Sequence, residues 1–216
     1  MNHGFSVINT KNIFGLLTIL YFVGLIGFLF DISPYFVQLT PVQLIISLFF
    51  VLFFHKTWQF STLLFCLTCA VAGFFIEVAG VATGEIFGNY GYGNVLGPKL
   101  YNTPYMIAVN WLLITYSAGV VVNELVGEKY AWWFKSFLAA TLMVCLDFLI
   151  EPTAMKIDMW HWQNNVVPIK NYIGWFAVSL FFQILFQFLI GNVKNKIGTL
   201  VFILQFLFFG ILFFFR

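Results

Sequence analysis

Apolar runs about as long as a bilayer crossing recur roughly seven times along this sequence, with only short polar breaks between them. A helix rises about 1.5 Å per residue, so about 20 apolar residues match a hydrocarbon layer of roughly 30 Å. The runs are Ile13–Phe30, Tyr35–Phe54, Ser61–Val81, Tyr105–Asn123, Ala131–Ile150, Tyr172–Ile190 and Ile197–Phe215. Composition agrees. Of the 216 residues, 62% are hydrophobic and 8% charged, against about 45–50% and about 25% in soluble domains. The alternation expected of a membrane β-barrel is absent. The expected fold is therefore all-α: a polytopic bundle of about seven transmembrane helices, forming one domain over residues 1–216 and integral to the lipid bilayer.

No small-residue cleavage site follows the first run, so it is expected to be a retained helix and not a signal peptide. Lysines and arginines outside the runs set the orientation. Lys11, Lys56, Lys129, Lys135, Lys194 and Lys196 fall on the N-terminal side, and Lys99, Lys156, Lys170 and Arg216 on the other. This excess favours a cytoplasmic N-terminus. The net charge of +2 is too small to imply nucleic acid or an acidic substrate. Cys66, Cys69 and Cys145 all lie within apolar runs and read as small buried hydrophobes, not as disulfides or metal ligands.

Two long breaks, on either side of the fourth and fifth runs, share one side of the membrane whichever way the bundle faces. The first lies within Ile76–Pro104, where Gly80, Gly84 and Gly88 recur every four residues before Tyr90 and Tyr92. The glycines fit either a close-packing ridge or turns that need unusual backbone angles. The second break, Glu151–Asn171, carries Trp160 and Trp162 on either side of His161. These rings suit the interfacial belt. Alternatively, both loops fold back as a lid over a pocket between helices.

Glu77 and Asp147 each stand near the loop-bearing end of a run. An ionised carboxyl at mid-bilayer costs about 2.5–3.5 kcal/mol and burial disfavours the anion, so each is a candidate neutral acid. The bland reading is snorkelling or a helix-packing hydrogen bond. Glu151 stands one turn beyond Asp147 on the same helix face. Asn110, Trp111, Asn171, Tyr172 and Trp175 could orient such carboxyls. His3, His55 and His161 are too scattered for a histidine-rich di-iron centre. No lysine lies deep in the last run for a retinal Schiff base, and no phosphate loop, dinucleotide fingerprint or serine elbow occurs. Carboxylic-acid chemistry on an apolar substrate remains, or transport.

Glu77-x-x-Gly80-x-x-Thr83-Gly84-x-x-Phe87-Gly88-x-Tyr90-x-Tyr92 and Leu96-Gly97-Pro98, followed by Asn110-Trp111, Asp147-x-x-x-Glu151-Pro152-x-Ala154, Trp160-x-Trp162, Pro168 and Asn171-Tyr172-x-Gly174-Trp175, resemble the CruF-type integral-membrane carotenoid hydratases. The motif-bearing region is 77–175. The resemblance implies addition of water across the terminal C1=C2 bond of a carotenoid end group, giving a tertiary alcohol. It implies an acyclic or monocyclic carotenoid substrate of the lycopene, γ-carotene or bacterioruberin-precursor type, in a bacterial or archaeal cytoplasmic membrane with other carotenoid-pathway enzymes as possible partners. An acid, a held water and aromatic faces suffice for that chemistry without metal or redox cofactor. Glu77 and Asp147 are the candidate acids, and Glu151 or Asp158 the candidate proton acceptor. Tyr90, Tyr92, Asn110, Trp111, Trp160, His161, Trp162, Asn171 and Trp175 are the candidate substrate-binding residues. A carotene cyclase or isomerase begins with the same protonation, and a non-enzymatic carotenoid-binding protein or transporter is the alternative of another class.

Overall fold

The computed structural model describes residues 9–215; His3 and Arg216 lie outside them. In chain order it forms α1 (Thr10–Leu29), α2 (Pro34–Val37), α3 (Thr40–Phe53), α4 (Phe60–Thr83), β1 (Tyr90–Tyr92), β2 (Lys99–Leu100), β3 (Thr103–Pro104), α5 (Met106–Val126), α6 (Trp132–Lys156), β4 (Trp160–Trp162), α7 (Ile169–Leu189) and α8 (Lys196–Phe215). Among the described residues seven helical spans are long and apolar enough to cross a membrane, α2 and α3 together making the second. This fits a multi-pass membrane protein. Helices are the expected solution, because a backbone in lipid must satisfy its own hydrogen bonds.

Two element boundaries depart from the sequence expectation, both at prolines. The second run breaks between α2 and α3, because Pro41 has no N–H for the carbonyl of Val37. The Thr40 hydroxyl donates to that carbonyl instead, at 2.7 Å. The fifth run was expected to end at Ile150, before Glu151-Pro152. The helix instead continues through Pro152 to Lys156. A proline removes one backbone bond, and burial of Glu151, Thr153 and Ala154 holds the last turn in place. Glu151 is consequently a helix residue, one turn above Asp147.

α5 is the axis of the bundle. Every residue from Trp111 to Asn123 is buried, and the helix packs against α3, α4, α6, α7 and α8. A helix that is apolar all round belongs at such a centre. Close approach needs small residues: a Cβ on Gly119 would lie 2.6 Å from the Phe186 ring, and one on Gly73 2.8 Å from the Trp111 side chain. α1 lies outside this group, against α8.

Polar side chains tie the bundle together at the end away from the long loops. Asn195 donates to the Val51 carbonyl at 2.8 Å and caps α8 by accepting from the backbone N–H of Ile197 and Gly198. The buried His55 meets the Thr57 carbonyl through Nε2 at 3.0 Å and the Tyr116 hydroxyl through Nδ1 at 2.7 Å. Nε2–H donating to the carbonyl leaves Nδ1 to accept from the phenol, which is a neutral imidazole. Burial pushes His55 below the usual histidine range. The unfolded chain therefore binds a proton that the folded chain resists, and stability falls as pH drops below about 6.5. Thermal unfolding in detergent is expected to show this acid-side loss in the wild type and a shallower one in His55→Gln.

Candidate active site

The two long loops pair with one another. β1 and β4 form an antiparallel ribbon with Tyr90 opposite Trp162, Gly91 opposite His161 and Tyr92 opposite Trp160. Strand side chains alternate between faces, so the two tyrosines and two tryptophans share one face, toward the helices. Gly91 and the exposed His161 take the other. The N–H of Gln163 donates to the Asn89 carbonyl at 3.0 Å, and that of Gly93 to the Met159 carbonyl at 2.9 Å, extending the ribbon at both ends.

Glycines make this lid fit. A Cβ on Gly93 would stand 1.9 Å from the Asp158 carbonyl oxygen, a backbone atom that cannot swing aside. Gly93→Ala is therefore expected to displace the ribbon and lower activity by about 100-fold, the effect of roughly 1 Å of misplacement, with helix content by circular dichroism unchanged. Gly84 ends α4 at φ 67° and Gly88 turns at φ 115° against the Pro168 ring. The continuous glycine ridge does not form, because α4 stops at Thr83.

Beneath the ribbon, residues of α4, α5, α6 and α7 line a small cavity. Its volume is about 30 Å³, room for about one or two waters. Glu77 projects into it from α4, 3% exposed. Its Oε2 accepts from the hydroxyls of Tyr90 at 2.5 Å and Tyr92 at 2.7 Å, and its Oε1 from the Trp111 indole N–H at 3.1 Å. The opposite wall carries Asp147 and Glu151 of α6, 1% and 2% exposed. Glu151 Oε2 accepts from the indoles of Trp160 at 2.9 Å and Trp162 at 2.7 Å. The Asn171 amide, in the first turn of α7, donates to Asp147 Oδ2 at 2.9 Å and to Glu151 Oε1 at 3.3 Å. A single side chain thus bridges both carboxyls. Among the described residues no lysine or arginine lines the cavity, so hydrogen-bond donors hold these groups where a counter-charge is missing. Burial, and then the nearby Glu77, raise the Tyr90 and Tyr92 phenols well above their usual range. Both stay protonated at neutral pH, and both remain donors.

The remaining walls are aromatic and apolar. Trp111 and Trp175 stack at 4.5 Å with an angle of 22°, and Tyr90 lies 4.9 Å from Trp162. Asn110 also lines the cavity. Two of the expected site residues are not brought there. Asp158 occupies a left-handed turn between α6 and β4 at φ 58°, with its side chain in solvent 3.9 Å from His161. The strand alternation that aims Trp160 and Trp162 inward sends His161 outward. Neither Asp158, expected as proton acceptor, nor His161, expected as substrate ligand, lines the cavity. Phe87 and Ile107, which line the cavity, were not among the expected site residues. A Cβ on Gly80 would meet the Phe87 ring at 2.8 Å and the Tyr90 hydroxyl at 2.9 Å, and one on Gly174 the Ile86 carbonyl at 2.6 Å and the Phe87 ring at 2.8 Å. Among the described residues no three His, Cys, Asp or Glu side chains converge as a metal-ligand group.

Comparison with known proteins shows the family of the chain. The family model described as carotenoid biosynthesis protein matches residues 37–215. The chain belongs to the carotenoid biosynthesis protein family. The matched region contains every residue that lines the cavity of this family member. A curated relative, the bisanhydrobacterioruberin hydratase of Haloarcula japonica, is 32% identical over 118 residues. That alignment covers 52% of this chain and 40% of the relative, so the chain accounts for less than half of the relative's length. No solved structure matches the chain.

Proposed function

We propose that the protein is a carotenoid hydratase, a hydro-lyase that adds water across the terminal C1=C2 bond of an acyclic or monocyclic carotenoid end group to give a tertiary alcohol. The observation that carries this reading is a water-sized space lined by Glu77, Asp147 and Glu151 beneath aromatic faces. Asp147 serves as the acid. It accepts from one amide, whereas Glu77 and Glu151 each accept three hydrogen bonds and are held as acceptors. The double bond's π electrons take the Asp147 proton at C2, forming the C2–H bond and leaving a tertiary cation at C1. The Trp111, Trp175 and Trp162 rings and the Glu77 carboxylate stabilise that cation. Water bonds to C1 through its oxygen and releases a proton to Glu151. Asn171 holds Glu151 beside Asp147, and return of the proton between them resets the acid. One water is consumed and no electrons are exchanged.

The relative's name supports a substrate of the bacterioruberin-precursor type, with lycopene and γ-carotene as the simpler candidates, in a bacterial or archaeal cytoplasmic membrane. A whole polyene is far too long for the site, so only its terminal isoprenyl group is placed against the acids. The free space of about 30 Å³ holds water alone, so the aromatic walls must part to admit that group while the chain trails along the helices. A cyclase would protonate the same bond and then exclude water from C1; space for water among three carboxyls favours hydration. Expression in a lycopene- or γ-carotene-producing host tests the proposal. Pigments heavier by one water per modified end are expected, and an unchanged pigment profile across several acyclic substrates overturns it.

A further inference from the structure

A second and larger cavity, of about 210 Å³, lies between α1, the α2–α3 break and α8. Its walls are almost wholly aliphatic and aromatic, and rim residues Val23, Leu39 and Val42 are exposed where lipid would lie. Two amides interrupt this lining. Gln205 of α8 is 3% exposed, yet its Oε1 has no hydrogen-bond partner. Gln43 of α3 stands beside the Tyr21 hydroxyl, and its Nε2 reaches no acceptor at bonding distance. An orphaned buried amide is costly and calls for a partner. The cavity lies near the acid site along the chain: Met159 lines it, while the next residue, Trp160, lines the carboxyl cavity.

We propose that this cavity binds the alcohol-bearing end of an isoprenoid chain and holds the hydrated product after it leaves the acids; the proposal rests on the hydratase reading. The apolar walls take the hydrocarbon. A hydroxyl both donates and accepts, so it can pair with either amide whichever way that amide is turned. An unmodified hydrocarbon end leaves Gln205 Oε1 and Gln43 Nε2 without a partner, and the cavity therefore discriminates product from substrate.

The test measures binding, not turnover, on full-length Asp147→Asn protein in lipid nanodiscs, so that lycopene is not converted. Tryptophan quenching is read with lycopene and with its 1-hydroxy-1,2-dihydro derivative. The alcohol is expected to bind about tenfold more tightly, the effect of one hydrogen bond to a buried group. Adding Gln205→Leu should remove that preference by weakening the alcohol alone. Gly24→Leu, which fills the same cavity from α1, should lower the amount of alcohol bound and serves if the Gln205 variant does not fold. Equal binding of the two probes, or equal weakening of both by Gln205→Leu, overturns the proposal. Displacement of the alcohol by diacylglycerol would assign the cavity to lipid instead and also overturns it. Absence of hydration in the pigment-producing host would remove the hydratase reading through a separate measurement.

Discussion

Asp147→Asn is expected to lower carotenoid hydration by at least about 100-fold, the lower range for loss of a general acid, while leaving the folded bundle intact. The substitution removes the one proton the mechanism delivers to C2 and changes little else. Its size is conserved, and the Asn171 amide keeps an oxygen to donate to at the position of Asp147 Oδ2. Elution of the detergent-solubilised variant as wild type, together with the loss of water-adduct pigment, is the expected pair of results. Wild-type conversion by this variant would move the acid elsewhere.

Glu77→Gln should cost conversion about 100- to 1,000-fold, comparable to removing a preorganised electrostatic group from an active site. Three donors converge on this carboxyl from two elements. An amide offers one acceptor oxygen where the carboxylate offers two. If that oxygen faces the donor-only Trp111 indole, the amide nitrogen faces the phenols, which rotate to accept. The variant therefore folds but loses the negative charge facing C1. The stability loss should stay within about 1–3 kcal/mol, the cost of disturbing buried hydrogen bonds, and is read from thermal unfolding. Unaltered conversion would leave Glu77 a purely structural clasp for the ribbon.

The length and apolar character of the spans were legible because lipid imposes them directly: the expected Ser61–Val81 run lies within α4, Phe60–Thr83. The shared side of the two loops followed from counting crossings. Their pairing did not, because a three-residue ribbon between positions about 70 residues apart depends on contacts that local sequence does not encode. Pro152 concealed the last turn of α6, since a proline usually marks a helix end and here tertiary packing overrides it. The outward position of His161 was readable in principle: in a strand, Trp-His-Trp sends its middle residue to the opposite face. Asp158 gave no such signal, its place being set by a reversal of the chain. Gln43 and Gln205 lie in apolar helices and Asn195 in the polar break before α8, where a packing bond, a ligand contact and a cap look alike until the neighbouring helix is in place.

The account stands on delivery of a proton and a water, together, to one carbon–carbon double bond. Conversion in water enriched in heavy oxygen, and separately in deuterium oxide, reads both atoms in the product by mass spectrometry. The expected alcohol carries the solvent's oxygen at C1 and one non-exchangeable deuterium at C2. An alcohol oxygen drawn from dioxygen, or a C2 position without deuterium, would contradict the proposed chemistry of the Glu77, Asp147 and Glu151 cavity.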